Sequence, residues 1–314
     1  MDTPLDRFNR LAASLRDSKP RPDQQAAAFA AVAMVHADGT DAALTAAARA
    51  RYEALKTALG GFNAPGGAMR WVYAAMLAAH GVEAGHFLGA REALRQARAI
   101  SKTGRLHAGG SRAALILSLG EAGPGVVDAF YAMKRAVRPP WWRSDDAVTD
   151  TFAAAHVLAA SRPEAVVEAR AHAEAVFGAD RRARGHRRDG ARQCVLLEQA
   201  PEIVLARFNA LEDARRADRF LRGRSDRSMT MEWAAAGRTP ADLIPISEMT
   251  KAMPKALTSV GYCRTRLASL IAFDDHGRNP TASASALAAV IAAQAAMIAA
   301  ISASSIAATS AAGS

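Results

Sequence analysis

The apolar residues of this 314-residue chain recur at spacings of three and four. Met69, Val72, Tyr73, Met76 and Leu77 fall at i, i+3, i+4, i+7 and i+8. Val126, Phe130, Met133 and Val137 keep the same period, as do Val148, Phe152 and Ala155. That spacing gathers side chains on one face of an α-helix, whereas a half-buried strand needs alternation. The vocabulary agrees. Ala dominates the apolar residues, while Val, Ile and Thr are sparse. Ala has the best helix propensity and the β-branched residues favour strands. No alternating run competes, so the sequence predicts an all-α protein.

Gly and Pro clusters cut the helical pattern at 60–67 ("GGFNAPGG"), 103–111 ("TGRLHAGGS"), 138–142 ("RPPWW") and 184–190 ("RGHRRDG"). Helix starts are marked as well. In "SRPE", Ser161 stands as N-cap with Pro163 near the first turn and Glu164 as its capping-box partner. Thr239, Pro240 and Asp242 repeat the device. Between the breaks lie about ten or eleven helices of ordinary length. Neither a tetratricopeptide-type nor an ankyrin-type residue frame recurs. The expected architecture is an irregular stack of helical hairpins, bundle or solenoid-like. It forms one domain over 1–314, with any subdivision near 138–146.

From Pro280 to Ser314 no charged residue occurs. Leu287, Val290, Ile291, Gln294, Met297, Ile298 and Ile301 make one bulky stripe on an Ala-rich background. A membrane span needs about 20 predominantly apolar residues, and this run is long enough. Yet Leu, Ile and Val each contribute only about −0.3 to −0.6 kcal/mol to insertion. No Lys or Arg cluster and no Trp or Tyr belt flanks the run. The expectation is a C-terminal core helix that closes the fold, without a membrane anchor. The opening "MDTPLDRFNR" lacks the apolar core of a secretory leader, and two cysteines make no disulfide framework. The expected location is the cytoplasm.

The order of elements resembles a bacterial family catalogued as domain of unknown function 4003. The resemblance covers roughly residues 40–308. It is carried by "MRWVYAAML", "FLGAREALRQARAI", "GGSRAALILSLG", "VDAFYAMKRAVRPPWWRSDDAVTDTFAAAHVLAAS" and "LAAVIAAQAAMIAAISA". It implies an all-helical cytosolic protein of no established activity and carries over no catalytic residue.

Lys and Arg outnumber Asp and Glu by 40 to 30, and 34 of the basic residues are Arg. Between Arg181 and Arg227 there are 13 Arg against seven acidic residues. Arg181, Arg182, Arg184, Arg187 and Arg188 share one loop. Downstream, Ala214, Ala217 and Leu221 read as an inward stripe, with Arg215, Arg219 and Arg222 projecting from the other side. Two readings stand: a solvated face, or a cationic surface for phosphates. No aromatic residue interleaves the first cluster, so base stacking is not indicated.

Trp141 and Trp142 in "RPPWWRSDD" either plug a gap between helix layers or form a protein contact. No His pair has metal-ligand spacing, and Cys194 lies in an apolar stretch. No cofactor or metal is expected. Ser111 in "HAGGSRAA" reads as a helix cap, at a helix start that could also take an anion. Taken together, the leading expectation is a non-catalytic interaction or scaffold module with a protein partner. One alternative is Arg-mediated nucleic-acid or anion binding through 181–227. Another is an enzyme whose site assembles from distant residues.

Overall fold

The computed structural model describes residues 3–273 except 18, 61–63, 102–104, 121–122, 140–145, 224–226 and 255–260. The described residues form 14 α-helices and no strand. They divide after Leu158 into two compact units. The expected subdivision near 138–146 falls inside the first unit, and most of it lies outside the described residues. So do the C-terminal stripe and Trp141 and Trp142.

The first unit holds α1 (Pro4–Asp17), α2 (Gln24–Met34), α3 (Asp41–Ala58), α4 (Gly67–Ala79), α5 (Ala84–Ser101), α6 (Ser111–Leu119), α7 (Val126–Val137) and α8 (Asp146–Leu158). Each odd helix pairs with the even helix that follows it, giving four hairpins. Odd helices pack on odd (α1 on α3, α3 on α5, α5 on α7), and even on even (α2 on α4, α4 on α6, α6 on α8). The unit is therefore a two-layer stack of hairpins.

The sequence assigns each helix to its layer. Even helices are apolar nearly all round, which demands burial on every side. Every residue from Ala26 to Met34, Trp71 to Ala78, Ser111 to Leu117 and Thr149 to His156 is buried. Ala on these helices lets neighbouring backbones approach closely. Odd helices are amphipathic and bond to one another through polar side chains. Asp41 accepts from Arg7 and Arg10 at 3.0 and 2.9 Å, and the Ser14 hydroxyl meets that of Thr45 at 3.2 Å. Residue numbers rise together along both helices, so α1 and α3 run parallel. Arg51 donates to the Val82 carbonyl at 2.6 Å and to Glu83 at 2.8 Å, linking α3 to the start of α5. Tyr52 stacks on Trp71, with ring centroids 4.1 Å apart.

The second unit repeats the scheme with α9 (Pro163–Ala179), α10 (Arg187–Leu196), α11 (Pro201–Ala217), α12 (Arg227–Ala235), α13 (Leu243–Ala252) and α14 (Gly261–Ala272). These make three hairpins. Helix α9 packs on α11, α11 on α13 and α10 on α12. Gly190 permits the last contact, because a Cβ there would lie 2.8 Å from the Met231 sulfur.

The described residues alone form fourteen helices against the expected ten or eleven. The break between α11 and α12 falls at no Gly or Pro cluster, and the end of α9 comes before the cluster at 184–190. Asp180 and Asp218 each terminate a helix by capping the turn that follows it.

Of the two Pro-led capping expectations one holds and one fails, for a single reason. Pro occupies the first helical position, so the residue just before it is the N-cap. In "SRPE" that residue is Arg162, which makes no side-chain cap, and Ser161 stands one place too early. In "RTPAD" it is Thr239, and the capping box with Asp242 is complete. Ser111 is not a cap either. Ala108, Gly109 and Gly110 take left-handed conformations, and Gly110 becomes the N-cap of α6. The Ser111 hydroxyl instead donates to the Ala108 carbonyl at 2.7 Å and accepts from Arg91 Nε at 2.9 Å.

Candidate functional site

The Arg-rich region lies wholly in the second unit. Its geometry starts from one carboxylate at the end of α9. Asp180 Oδ1 accepts the backbone N–H groups of Arg182 and Ala183 at 2.6 and 2.9 Å. Asn209 donates to Oδ2 at 3.3 Å. Burial opposes ionisation, but these donors and Arg182 outweigh it and hold the carboxyl below its usual range. The turn buries Ala183 and leaves Arg181 and Arg184 exposed.

Asp218 builds the same turn at the end of α11. Its Oδ1 accepts Phe220 N–H at 2.7 Å and Leu221 N–H at 3.0 Å. Burial again works against the charge and the donated bonds again prevail, so the carboxyl is depressed. Leu221 is buried, and Arg219 and Arg222 are exposed.

The two turns close an internal repeat. Residues 163–184 and 201–222 superpose in sequence with Pro163 on Pro201, Glu164 on Glu202, Val166 on Val204 and Glu174 on Glu212. Ala179, Asp180, Arg181 and Arg184 match Ala217, Asp218, Arg219 and Arg222. Val166 and Val204 are both buried. The helices that carry the repeat run side by side and parallel. His172 meets Glu202 at 3.2 Å, Asn209 meets Asp180, and Arg182 meets Asp213 at 2.7 Å. Partners in the last two pairs are 29 and 31 residues apart. Helix α13 continues the register. The Lys251 ammonium helps hold the Asp218 carboxyl down and lies 5.4 Å from the centre of the Phe220 ring. The carboxyl ends of α9, α11 and α13 thus share a basic edge, to which Lys251 belongs although the Arg count overlooked it.

The predicted arginines do not all belong to this edge. Arg181, Arg184, Arg219 and Arg222 do. Arg182 is committed to Asp213, and the Arg184 Nε donates to the Gly178 carbonyl at 3.1 Å while its guanidinium stays exposed. Arg187 and Arg188 sit half-buried on the first turn of α10. Arg215 contradicts the expectation, because it points inward. The inward stripe of α11 is Val204, Phe208, Leu211, Glu212 and Arg215, whereas Ala217 is exposed and Leu221 lies beyond the helix end.

Arg215 is buried because Glu212 is. The Glu212 carboxylate is fully buried and accepts two bonds from Arg215, both at 2.9 Å. Arg216 Nε and Arg227 Nε reach it at 3.0 and 3.2 Å, and Thr230 at 3.4 Å. Burial disfavours the charge, yet the guanidinium bonds prevail and keep this carboxyl ionised below its usual range. The cluster locks α11 to α12.

Two other polar features stand apart from the basic edge. In the first unit Lys134 and Asp150 form an ion pair with side chains 1% and 0% exposed. Asp150 also accepts His107 N–H at 2.8 Å, and Lys134 donates to the Arg105 carbonyl at 2.7 Å. Burial raises the Asp150 carboxyl more than these partners lower it. In the second unit a cleft of about 360 Å³ lies between α9 and the α10–α11 connection, lined by Arg162, Val166, His172, Cys194, Glu198 and Pro201 among others. Cys194 at its base is buried, donates to the Gln199 carbonyl, and is pushed up to about 11 by burial. It is a protonated core thiol, as its sequence context indicated.

Among the described residues no group of three or more His, Cys, Asp and Glu side chains is placed to hold a metal ion. None of the described helices is long and apolar enough to cross a membrane. The chain matches no protein-family model, no curated protein and no solved structure.

Proposed function

We propose that this chain is a non-catalytic interaction module that works in the cytoplasm and takes a protein partner along its exposed odd helices. The observation that carries the reading is the parallel register of α9, α11 and α13, with one 22-residue frame used twice. Parallel hairpins present equivalent positions at fixed intervals, which is how helical-repeat proteins build extended binding surfaces. The large apolar side chains left exposed in the second unit, Val167, Ile203 and Ile244, fall one on each of these helices. Buried ionisable groups support the same reading, because Lys134, Asp150, Glu212 and Arg215 are spent on joining helices. Kinship with the bacterial family of domain 4003 belongs to this proposal and rests on the sequence segments that carry the resemblance alone.

The test is partner recovery after crosslinking in the producing cells, with the tagged full chain and a Val167→Glu/Ile203→Glu variant. The expected result is a stoichiometric protein partner held by the parent chain and lost by the variant. Recovery of no such partner, or equal recovery by both chains, would overturn the reading.

A further inference from the structure

Four exposed guanidinium groups in the second unit make two equivalent pairs. Arg181 and Arg184 follow the Asp180 turn, and Arg219 and Arg222 follow the Asp218 turn. Each pair is spaced i, i+3, and each is presented by a buried residue, Ala183 or Leu221, that pins the turn from inside. We infer that this stepped basic edge binds the phosphate backbone of a nucleic-acid duplex. The inference rests on the interaction-module reading and names a second kind of partner for it.

Cations at a helix C-terminus complement the helix dipole, so some basic charge here has an ordinary structural role. That role accounts for Arg184 Nε on the Gly178 carbonyl, and an ion pair accounts for Arg182. It does not account for Arg181, Arg219 and Arg222. Their side chains are exposed and bond to no described residue. Among the described residues the acids at the edge, Asp180 and Asp218, offset only part of its charge, which Arg181, Arg184, Arg219, Arg222 and Lys251 supply. Asp180 and Asp218 are turned into their own loops, and Asp213 already holds Arg182. The Glu212 cluster adds to the excess, since one carboxylate there faces Arg215, Arg216 and Arg227.

Spacing favours a regular polyanion. Packed helices lie about 8–10 Å apart. The repeat is offset by 38 residues in sequence, while α9 and α11 meet at offsets of 29 and 31. The difference of about eight residues steps the second pair along the axis by roughly 12 Å at ~1.5 Å per residue. The two pairs therefore stand roughly 15 Å apart, about four to five nucleotides of one strand at ~3.4 Å each. Guanidinium forks match phosphate oxygens. Phe220, the only aromatic residue in either turn, lies under Lys251, so the contact reads backbone charge and not bases.

The experiment uses the full chain and fluorescence anisotropy with short labelled DNA and RNA duplexes, from about 50 to 200 mM salt. Binding to either duplex is expected, with the tighter one identifying the source. Affinity for DNA should fall by about 0.9 log unit per log unit of salt for each phosphate engaged. R181A/R184A and R219A/R222A should each flatten that slope by about 1.8, and R135A/R138A in the first unit should leave it unchanged. Arg→Lys replacements at the same four positions keep the charge and lose the fork. They should keep the slope at lower affinity, which separates lost contact from lost folding. No binding to either duplex at about 50 mM salt, or a slope that survives both paired variants, overturns the inference. Tighter binding to polyglutamate than to either duplex overturns it in favour of an acidic protein. Partner recovery by the Val167 and Ile203 surface is read separately and stands or falls on its own.

Discussion

Replacing Glu212 by Gln keeps the volume of the side chain and removes one charge from the centre of the second unit. The structure sets the size of the effect. Arg215 is only 9% exposed and donates twice to Glu212, so the variant takes from a buried guanidinium the carboxylate charge it faces. Removing one partner of a buried pair costs about 3–5 kcal/mol. Arg216 and Arg227 are 44% and 40% exposed, and solvent screening limits their share to about 1 kcal/mol or less each. A loss of about 4 kcal/mol is expected, a large part of a typical 5–15 kcal/mol. At about 2–4 °C per kcal/mol for a unit of this size, the midpoint should drop by roughly 8–16 °C. Urea titrations of Glu212→Gln, Arg215→Met and the double variant isolate the pair. The double variant should lose much less than the sum of the singles, with a coupling above about 2 kcal/mol. Additive losses would show that Arg215 is buried for its stem and not for its charge, and the argument would fail.

The same carboxylate predicts acid sensitivity. Glu212, Asp180 and Asp218 all have depressed values, so their contribution is complete above the ordinary carboxylate range and is lost as pH falls through the folded values. Urea midpoints measured from neutral pH downward should fall in acid, and less so in Glu212→Gln. Asp150 has the opposite sign, because its raised carboxyl favours folding in acid and that contribution is lost as pH rises through its folded value. Lys134→Met should therefore cost about 3–5 kcal/mol at neutral pH, and the deficit should shrink on acidification as Asp150 takes up a proton. Gly190→Ala places a methyl against Met231, an overpacking loss of about 1–3 kcal/mol set against about 1 kcal/mol of helix propensity. The net loss should be relieved by Met231→Ala in the same melt. Cys194, held at about 11, should resist iodoacetamide at pH 8 in the native chain and react readily in urea; equal rates would contradict its burial.

Helix class was legible because its signal is local. Spacings such as Val72, Tyr73, Met76 and Leu77 mark buried positions without reference to any neighbour. Helix ends were less so. Asp180 and Asp218 stop helices by bonding to backbone two and three residues on, and a single Asp leaves no cluster to notice. The repeat was present but diluted. Pro-Glu at one end and Asp-Arg at the other recur, whereas most positions between them differ in residue type, as with Ala173 and Leu211, both buried. Arg215 was misplaced because Glu212 and Arg215 at i, i+3 read as an ordinary exposed pair. Only the approach of α12, bringing Arg227 and Thr230 to the same carboxylate, turns that face inward.

A stack in which hairpins touch mainly their neighbours has a mechanical consequence. Pulled from its ends, the first unit should not yield all at once. It should peel hairpin by hairpin, since each departs by breaking the contacts of one odd and one even helix with the next. Freed segments of 34 and 31 residues, the offsets between α1 and α3, lengthen to roughly 100–120 Å at ~3.3–3.6 Å per residue. Under load the fold is a ratcheted spring, and its extensibility is written in the distance from one odd helix to the next.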